Sequence, residues 1–237
     1  MNELENFFFN QDHRLIHKWN HYFEIYERHL KHLRGSKINL LEIGISHGGS
    51  LEMWDHYFQG NAMIYAVDIN PECKKFESEN VRVFIGSQED KKFLNNLRSL
   101  VPPVDVLIDD GGHTMKQQIR TFEILFDHVS ENGIYICEDT HTSYWKPFGG
   151  GYKKRRSFIE YSKNFIDSIH AWYRKNIKPD HLTESIHSVH YYDSILVIEK
   201  RKMIAPFDVK SGNASIHDKY ATTLVVDNND RGDNSPS

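Results

Sequence analysis

The sequence predicts an α/β fold with a doubly wound, seven-stranded, mostly parallel sheet, an N-terminal helix and an antiparallel C-terminal hairpin. Two observations predict this class. Short apolar runs, typical of strands that are buried on both faces, alternate with amphipathic stretches of about ten residues, which is the pattern of βαβ units. Two stretches of alternating apolar and polar residues then follow within residues 185–202, and they indicate the hairpin.

The N-terminal helix is predicted from apolar residues that recur at threes and fours between residues 13 and 33. Gly35 follows this stretch as a helix stop. The first strand is the buried apolar run at residues 38–45. The next four strands are predicted at residues 63–68, 81–85, 104–110 and 133–138, and the helices between strands at residues 50–58, 89–100 and 115–129.

Three parts make up the predicted domain organisation. Residues 1–36 form an N-terminal helical segment, and residues 37–208 form the main α/β domain. Residues 209–237 form a polar tail, which we expect to be partly disordered because it has few apolar residues to bury.

The composition excludes several classes of protein. The net charge is −4 and the pI is near 6.4, so no electrostatic argument favours a nucleic acid or an anionic membrane as partner. Cys73 and Cys137 are too few for a disulfide framework, which favours a reducing compartment. We find neither a signal peptide nor a run of about 20 apolar residues. We therefore expect a soluble, cytoplasmic protein with no membrane span, and the sequence leaves homo-oligomer formation open.

Glycines follow the first predicted strand in the segment EIGISHGGS, residues 42–50. Glycine lets the backbone approach a ligand closely and exposes amide N–H groups. Asp68 ends the next strand, where a carboxylate can accept the hydroxyls of a ribose, and Gln88 follows the third. Glu42, Asp68 and Gln88 at the tips of three successive strands therefore indicate a ligand that contains adenosine.

The spacing of this loop favours S-adenosylmethionine over a dinucleotide. Ser46 stands where the GxGxxG pattern of dinucleotide-binding loops has its second glycine, and Glu42 suits a cofactor with cationic groups. An oxidoreductase that binds a nicotinamide dinucleotide in the same cleft remains an alternative. The candidate cofactor-binding residues are Glu42, Gly44, Ile45, Ser50, Asp68, Ser87, Gln88 and Asp109.

Carboxylates and histidines cluster after the fourth and fifth predicted strands, in the segments DDGGH (109–113) and EDTH (138–141). Burying these acids together is costly without a cation. The set Asp110, Glu138 and Asp139 fits a hard metal, Mg²⁺ before Zn²⁺. His113 is then placed as general base on a metal-bound hydroxyl, with His141 as its competitor. The alternative is that these acids are solvated loop residues and helix caps.

The segments LEIGISHGGSLEMW (41–54), VDVLIDDGGH (104–113) and ICEDTHTSYWKPFGGG (136–151) resemble metal-dependent, class I S-adenosylmethionine methyltransferases that O-methylate sugars on natural-product glycosides. The macrolide 6-deoxyallose and tetracenomycin rhamnose O-methyltransferases are members of this group. The resemblance covers residues 22–151 and implies a Rossmann-like class I methyltransferase fold for residues 37–208. It also implies S-adenosylmethionine and Mg²⁺ as cofactors, and a sugar hydroxyl of a glycoside, nucleotide sugar or polysaccharide as acceptor.

The resemblance also implies roles for single residues. Asp110, Glu138 and Asp139 would bind Mg²⁺, and His113 would be the base. Glu42, Gly44, Asp68 and Gln88 would surround the cofactor, and Tyr144 and Trp145 would border the substrate together with the candidate His141. Gly112 is a departure, because the family often has serine there. Cephalosporin hydroxylase-like proteins share the carboxylate set, so such a protein, with a non-sugar substrate or no turnover, is a further alternative.

Overall fold

Seven strands form one mixed sheet in the computed structural model of the protein. They are β1 (Ile38–Ile43), β2 (Ala62–Asp68), β3 (Val81–Ile85), β4 (Val104–Asp109), β5 (Val129–Cys137), β6 (Ile186–Tyr191) and β7 (Leu196–Lys200). Their spatial order is β3-β2-β1-β4-β5-β7-β6. Neighbouring strands in the run β3-β2-β1-β4-β5 pair in parallel. Strand β7 pairs antiparallel with both β5 and β6. The predicted fold class is confirmed.

The order of the strands reverses between β1 and β4, because the chain first winds outward to β3 and then returns. Open α/β sheets bind ligands at this switch point, outside the carboxyl ends of the strands. The loops after β1, β2, β3, β4 and β5 all open on that edge. The topology therefore brings together the two segments that the sequence singles out, the glycine loop and the carboxylates.

Helices cover both faces of the sheet. They are α1 (Glu3–Asn10), α2 (Tyr22–Leu30), α3 (Gly49–Tyr57), α4 (Lys91–Leu100), α5 (Met115–Leu125), α6 (Phe158–Ser162) and α7 (Asn164–Ile169). One apolar core, which includes Tyr26 and Trp54, packs α1, α2 and α3 against the sheet. The other, which includes Phe122 and Phe165, packs the remaining helices. Burial of these large side chains stabilises the three-layer arrangement by the hydrophobic effect.

The prediction of a helix over residues 13–33 is wrong for residues 13–21, where the structure has no helix. Helix α1 was not predicted. No helix or strand is present between Asn10 and Tyr22. Leu15 and Trp19, assigned to the buried face of that helix, are 62% and 52% exposed, whereas the Lys18 side chain is only 3% exposed. Lys18 forms an ion pair with distant carboxylates, and this tertiary contact overrides the helical pattern. We call residues 12–21 the strap.

The other predicted elements differ only at their ends. The largest difference lies around residue 129, where α5 ends at Leu125 and β5 begins at Val129, earlier than the predicted start at residue 133. Val129 pairs with Val104, and a register shift separates this pair from the Val106–Ile134 pair. An irregular strand of this kind has no regular alternation of apolar residues that could mark its first half.

The structure describes residues 1–175 and 178–213. Residues 1–205 belong to one compact unit, and the described residues from 206 to 213 contain no helix or strand. Most of the predicted tail, from residue 214 onward, lies outside the described residues. Among the helices of the described ranges, none has the length and apolar character needed to cross a membrane.

Candidate active site

A cleft of about 360 Å³ opens at the carboxyl ends of the central strands. This volume is within the usual range for small-molecule sites, about 300–1,000 Å³. Nine of the predicted site residues line it: Gly44, Ile45, Ser50, Asp68, Ser87, Gln88, Asp110, His113 and Asp139. Residues 15–18 of the strap also line it, although the sequence did not predict them there. Glu42, Asp109 and Glu138 are buried and are not part of the lining, and neither are His141, Tyr144 and Trp145.

Two glycines in the loop after β1 are required by close backbone contacts. Gly44 has a φ of +88°, and a Cβ atom there would lie 2.2 Å from the carbonyl oxygen of Asp110. At Gly49, a Cβ atom would lie 2.5 Å from the carbonyl oxygen of Leu15, in the strap. Both distances are shorter than any real contact, so glycine alone lets these backbones pass. The loop is thereby pressed between the start of the strap and the segment that follows β4.

Asp68 joins the ends of β1 and β2. Its Oδ2 accepts hydrogen bonds from the backbone N–H groups of Ile45 and Ser46, both at 3.0 Å, and its Oδ1 accepts one from Asn70 at 2.8 Å. An ionised carboxylate has about four acceptor positions, so one remains for a hydroxyl of a bound ligand. Asp68 therefore both shapes the glycine loop and faces the cleft.

Glu42 lies beneath the cleft floor and is completely buried. Its carboxylate accepts hydrogen bonds from Ser50 Oγ at 2.8 Å and from Trp54 Nε1 at 3.2 Å. Burial raises the pKa of Glu42 to about 7, although the Lys18 ammonium and both hydrogen bonds oppose the rise. Ser50 and Trp54 are four residues apart and so share one face of α3. Trp54 was not among the predicted site residues.

Gln88 and Asp109 form a second buried pair. Gln88 Nε2 donates to Asp109 Oδ1 at 2.9 Å and to Thr121 Oγ1 at 3.0 Å, while its Oε1 accepts from the N–H of Gly112 at 2.8 Å. Burial raises the pKa of Asp109, and its Oδ2 is buried with no partner among the described residues. Gln88 thus holds the loop after β4 in place, and one unpaired carboxylate oxygen remains beneath it.

The three predicted metal ligands converge from the ends of β4 and β5, but they have different partners. Glu138 is completely buried, and its Oε1 accepts from the hydroxyl of Tyr26 at 2.6 Å. Asp139 Oδ1 accepts from the hydroxyl of Tyr22, also at 2.6 Å. Lys18 Nζ donates to Asp110 Oδ2 at 2.5 Å and to Glu138 Oε2 at 2.8 Å. Helix α2 and the strap therefore supply most of the donors to these acids.

Burial raises the pKa of Asp110 to about 7 and that of Glu138 to about 8, although the Lys18 ammonium opposes both shifts. For Lys18 itself, burial alone would lower the pKa. Attraction to Asp110, Glu138 and Glu42 outweighs burial and raises the pKa above its ordinary value. Lys18 is therefore a charged ammonium in this site, and the acids around it attract any further cation.

His113 and Asp139 face each other across the site. Both have left-handed backbones, with φ values of +55° and +52°, which are uncommon outside glycine. His113 Nε2 lies 3.4 Å from Asp139 Oδ2 and 4.0 Å from Asp110 Oδ1. Thr142 Oγ1 donates to the carbonyl oxygen of His113 at 2.9 Å and so links the two loops. These unusual backbones bring the His113 imidazole and the Asp139 carboxylate to one point, which the Asp110 carboxylate also reaches.

This point fits a divalent cation by the chemistry of its donors. One ligand atom from each of Asp110, His113 and Asp139 lies within 4.8 Å of the others. Carboxylate oxygens are the ligands that Mg²⁺ prefers, and Asp110 and Asp139 each supply one at this point. Glu138, the third predicted ligand, is turned toward Lys18 and Tyr26. The described residues thus place two of the three predicted acids at this point, together with His113.

Of the predicted substrate residues, His141 lies beside Asp139, with 3.9 Å between its Nδ1 and Asp139 Oδ1. His141 Nδ1 lies 3.0 Å from Ser194 Oγ, and its ring lies edge-on to Trp145 at 4.6 Å and to Trp19 of the strap at 5.8 Å. Tyr144 and Trp145 are about half exposed. Exposed aromatic rings of this kind have flat apolar faces that remain open to solvent.

Sequence reasoning missed Lys18, Tyr22 and Tyr26 as site residues. A signal was present for the tyrosines, since they are four residues apart on an apolar helix face and a buried hydroxyl needs a hydrogen-bond partner. No local pattern distinguishes Lys18 from the other lysines, because its partners come 92 and 120 residues later.

Residues 41–140 match the protein family described as "Methyltransferase domain". The chain is 32% identical over 191 residues to the 8-demethyl-8-alpha-L-rhamnosyl tetracenomycin-C 2'-O-methyltransferase of Streptomyces olivaceus, which covers 76% of this chain and 50% of that protein. It is 30% identical over 213 residues to the mycinamicin VI 2''-O-methyltransferase of Micromonospora griseorubida, which covers 84% of this chain and 52% of that protein. The chain therefore spans about half the length of these relatives.

The fold is similar to that of a solved structure, the MycE methyltransferase from the mycinamycin biosynthetic pathway in complex with Mg, SAH and mycinamycin VI. The TM-score is 0.75 at 29% sequence identity, over 84% of this chain and 53% of the other. Residues 41–140 thus match a methyltransferase domain, and over about three quarters of its length the chain is similar to the named tetracenomycin O-methyltransferase.

Proposed function

We propose that this protein transfers a methyl group from S-adenosylmethionine to a sugar hydroxyl with the help of Mg²⁺. One observation carries the proposal: the glycine loop with Asp68 lies in the same cleft as the converging side chains of Asp110, His113 and Asp139. A cofactor site and an acid–base or metal site that share one cleft are what a group transfer requires. The names of the homologues support sugar as the acceptor class.

In this proposal residues 37–208 form the methyltransferase domain, and residues 1–36 cover its site. Gly44, Ile45, Ser50, Asp68 and Ser87 would contact the cofactor in the cleft, while Glu42, Gln88 and Asp109 would shape its floor. Three features support the fit of the cofactor to this site: the close backbone contacts at Gly44 and Gly49, the free acceptor position of Asp68, and the unpaired buried oxygen of Asp109. When bound, the cofactor supplies an electrophilic methyl group, and Mg²⁺ lowers the pKa of a coordinated hydroxyl.

His113 would take the proton from the acceptor hydroxyl. His113 Nε2 lies 3.4 Å from Asp139 Oδ2, so the carboxylate can stabilise the imidazolium that forms when this nitrogen takes the proton. Asp110 and Asp139 would hold the metal, with Glu138 completing the set. Tyr22 and Tyr26 would keep Asp139 and Glu138 in place, because each hydroxyl donates to one of these acids. No other described histidine lies within ion-pair distance of both Asp110 and Asp139.

The acceptor would enter over the aromatic rim formed by His141, Tyr144 and Trp145. Flat aromatic faces suit the less polar face of a sugar ring, and the rim adjoins Asp139. We propose a glycoside, a nucleotide sugar or a polysaccharide as the acceptor. The homologues are named for glycosylated tetracenomycin and for mycinamicin, which makes a small glycoside the first class to screen.

Calorimetric titration of S-adenosylhomocysteine into metal-free protein, repeated with Mg²⁺ and with NAD as control, tests the proposal. We expect micromolar binding of S-adenosylhomocysteine and a separate Mg²⁺ heat that Asp139→Ala removes. Absence of S-adenosylhomocysteine binding in both conditions would contradict the proposal, and binding of NAD in its place would favour an oxidoreductase. Cofactor binding without methyl transfer to any glycoside would favour the cephalosporin hydroxylase-like alternative.

A further inference from the structure

Lys18 is a cation that the chain itself places among the candidate metal ligands. Its side chain is 3% exposed, and its Nζ donates to Asp110 Oδ2 at 2.5 Å and to Glu138 Oε2 at 2.8 Å. A fully buried lysine is rare, and it is stable only when it is paired with opposite charge. The ammonium therefore holds two carboxylates that a metal ion at this site would use.

The Lys18 ammonium and the acids around it determine whether a metal ion would be attracted or repelled at this site. Asp110, Glu138 and Glu42 all attract the ammonium, while the hydroxyls of Tyr22 and Tyr26 are neutral donors to the neighbouring acids. A divalent ion that bound Asp110 and Glu138 together would have to replace Nζ. One that bound beside it, at Asp110 Oδ1 and Asp139 Oδ2, would meet electrostatic repulsion from the Lys18 ammonium.

Outside the Lys18 ion pair, the strap is held by the close approach of Leu15 to Gly49, by the Arg14 guanidinium over the Phe76 ring and by a few further contacts. It has no helix or strand of its own between α1 and α2. Arg14 forms an ion pair with Glu52 at 3.2 Å, Ile16 is buried, and His21 Nε2 lies 3.0 Å from the carbonyl oxygen of Asp193. Leu15 and Trp19 are mostly exposed. A segment with so few buried apolar contacts can shift at low cost when its central ion pair is replaced.

We propose that Lys18 competes with the divalent cation for Asp110 and Glu138, so that metal loading displaces the ammonium and shifts the strap along the cofactor cleft. This inference rests on the proposed function, since it takes Asp110 and Glu138 as metal ligands. Residues 15–17 line the cleft next to Lys18, so the same movement changes the space that is open to the cofactor. Lys18 thereby couples metal binding to cofactor binding through the strap.

Mn²⁺ affinity measured by electron paramagnetic resonance on the full chain tests the competition. We expect Lys18→Met to bind Mn²⁺ at least about tenfold more tightly than the wild type, because a repelling charge is removed. Lys18→Arg keeps the charge and should bind as weakly as the wild type. Lys163→Met, which removes an exposed lysine paired with Glu160, should leave the affinity unchanged. Equal or weaker binding by Lys18→Met overturns the proposal.

Lys18→Met leaves two buried carboxylates without their cation and is expected to be less stable, so a second measurement is needed. The rise in melting temperature on addition of Mg²⁺ reports affinity for the folded state even in a destabilised variant. It should be larger for Lys18→Met than for the wild type, and an equal or smaller rise contradicts competition.

The outcomes separate this inference from the proposed function. If all four proteins bind Mn²⁺ alike, the metal site stands and the role of Lys18 is wrong. If no variant binds Mn²⁺, the metal site and the competition are both wrong. If only Lys18→Met binds Mn²⁺, the competition is supported in its strongest form. Fluorescence of Trp19 gives an independent signal: Mg²⁺ should change the emission of the wild type more than that of Trp19→Phe, and equal changes would argue against strap movement.

Discussion

The hydroxyl of Tyr26 donates a 2.6 Å hydrogen bond to Oε1 of Glu138, which follows it by 112 residues. Both side chains are completely buried. One turn earlier on α2, Tyr22 makes the equivalent bond to Asp139. Two adjacent carboxylates at the end of β5 are therefore held by two tyrosines on one helix face. Helix α2 is thus a structural part of the site and not only a cover over it.

Tyr26→Phe removes only the hydroxyl and should lower the free energy of unfolding by about 1–3 kcal/mol, since a buried acceptor loses its donor. Urea denaturation followed by circular dichroism measures this change. Tyr152→Phe is the matched control, because Tyr152 is 79% exposed and its hydroxyl reaches no buried acid. A Tyr26→Phe variant as stable as this control would show that the bond contributes nothing to the fold.

His113→Asn should keep cofactor and metal binding while kcat falls by about 10²–10⁴-fold, the usual contribution of a general base. Asparagine tolerates the left-handed backbone at this position better than alanine does, so the loop should keep its shape. Steady-state kinetics with a methylated glycoside as product measures the loss, and S-adenosylhomocysteine titration verifies the intact site. Turnover near that of the wild type would remove His113 from the mechanism.

Gly44→Ala should abolish binding of S-adenosylhomocysteine, because the new Cβ atom would lie 2.2 Å from a carbonyl oxygen and displace the loop. Gly60→Ala provides the control: Gly60 also has a positive φ, +70°, but no atom lies within 4 Å of the added Cβ. That variant should lose about 1–2 kcal/mol of stability from the left-handed backbone alone and bind normally. Normal binding by Gly44→Ala would mean that the close approach is not required.

The contribution of His29 to the free energy of unfolding should fall as the pH drops below about 6.5, the ordinary pKa of histidine. Burial lowers the pKa of His29, although its hydrogen bond to Glu199 opposes this, so the unfolded chain binds the proton more readily than the folded one. His190, Tyr192 and Arg28 also face His29. Unfolding in urea at pH 7.5 and 5.5 checks this: as the pH drops, the free energy of unfolding of the wild type should fall relative to that of His29→Gln, and an equal change in both proteins would contradict this origin.

The sheet and the residues at its carboxyl edge could be predicted because each depends on neighbours in sequence. A buried strand such as residues 38–43 is marked by its own apolar run, and the position of Asp68 or Asp110 follows from where its strand ends. The strap could not be predicted in this way. Its conformation depends on the pairing of Lys18 with acids 92 and 120 residues away, and the helical pattern of its apolar residues pointed to the wrong structure.

Helix α2 also has a consequence for the order of folding. Tyr22 and Tyr26 are synthesised more than a hundred residues before the acids that they hold, so their partners do not exist while the first strands emerge from the ribosome. Contacts between residues so far apart in sequence form late, because closing the long intervening chain first costs conformational entropy. The core of β1 to β4 can therefore assemble before the site does. The pairing of Tyr22 and Tyr26 with the two acids can therefore form only after β5 has been synthesised.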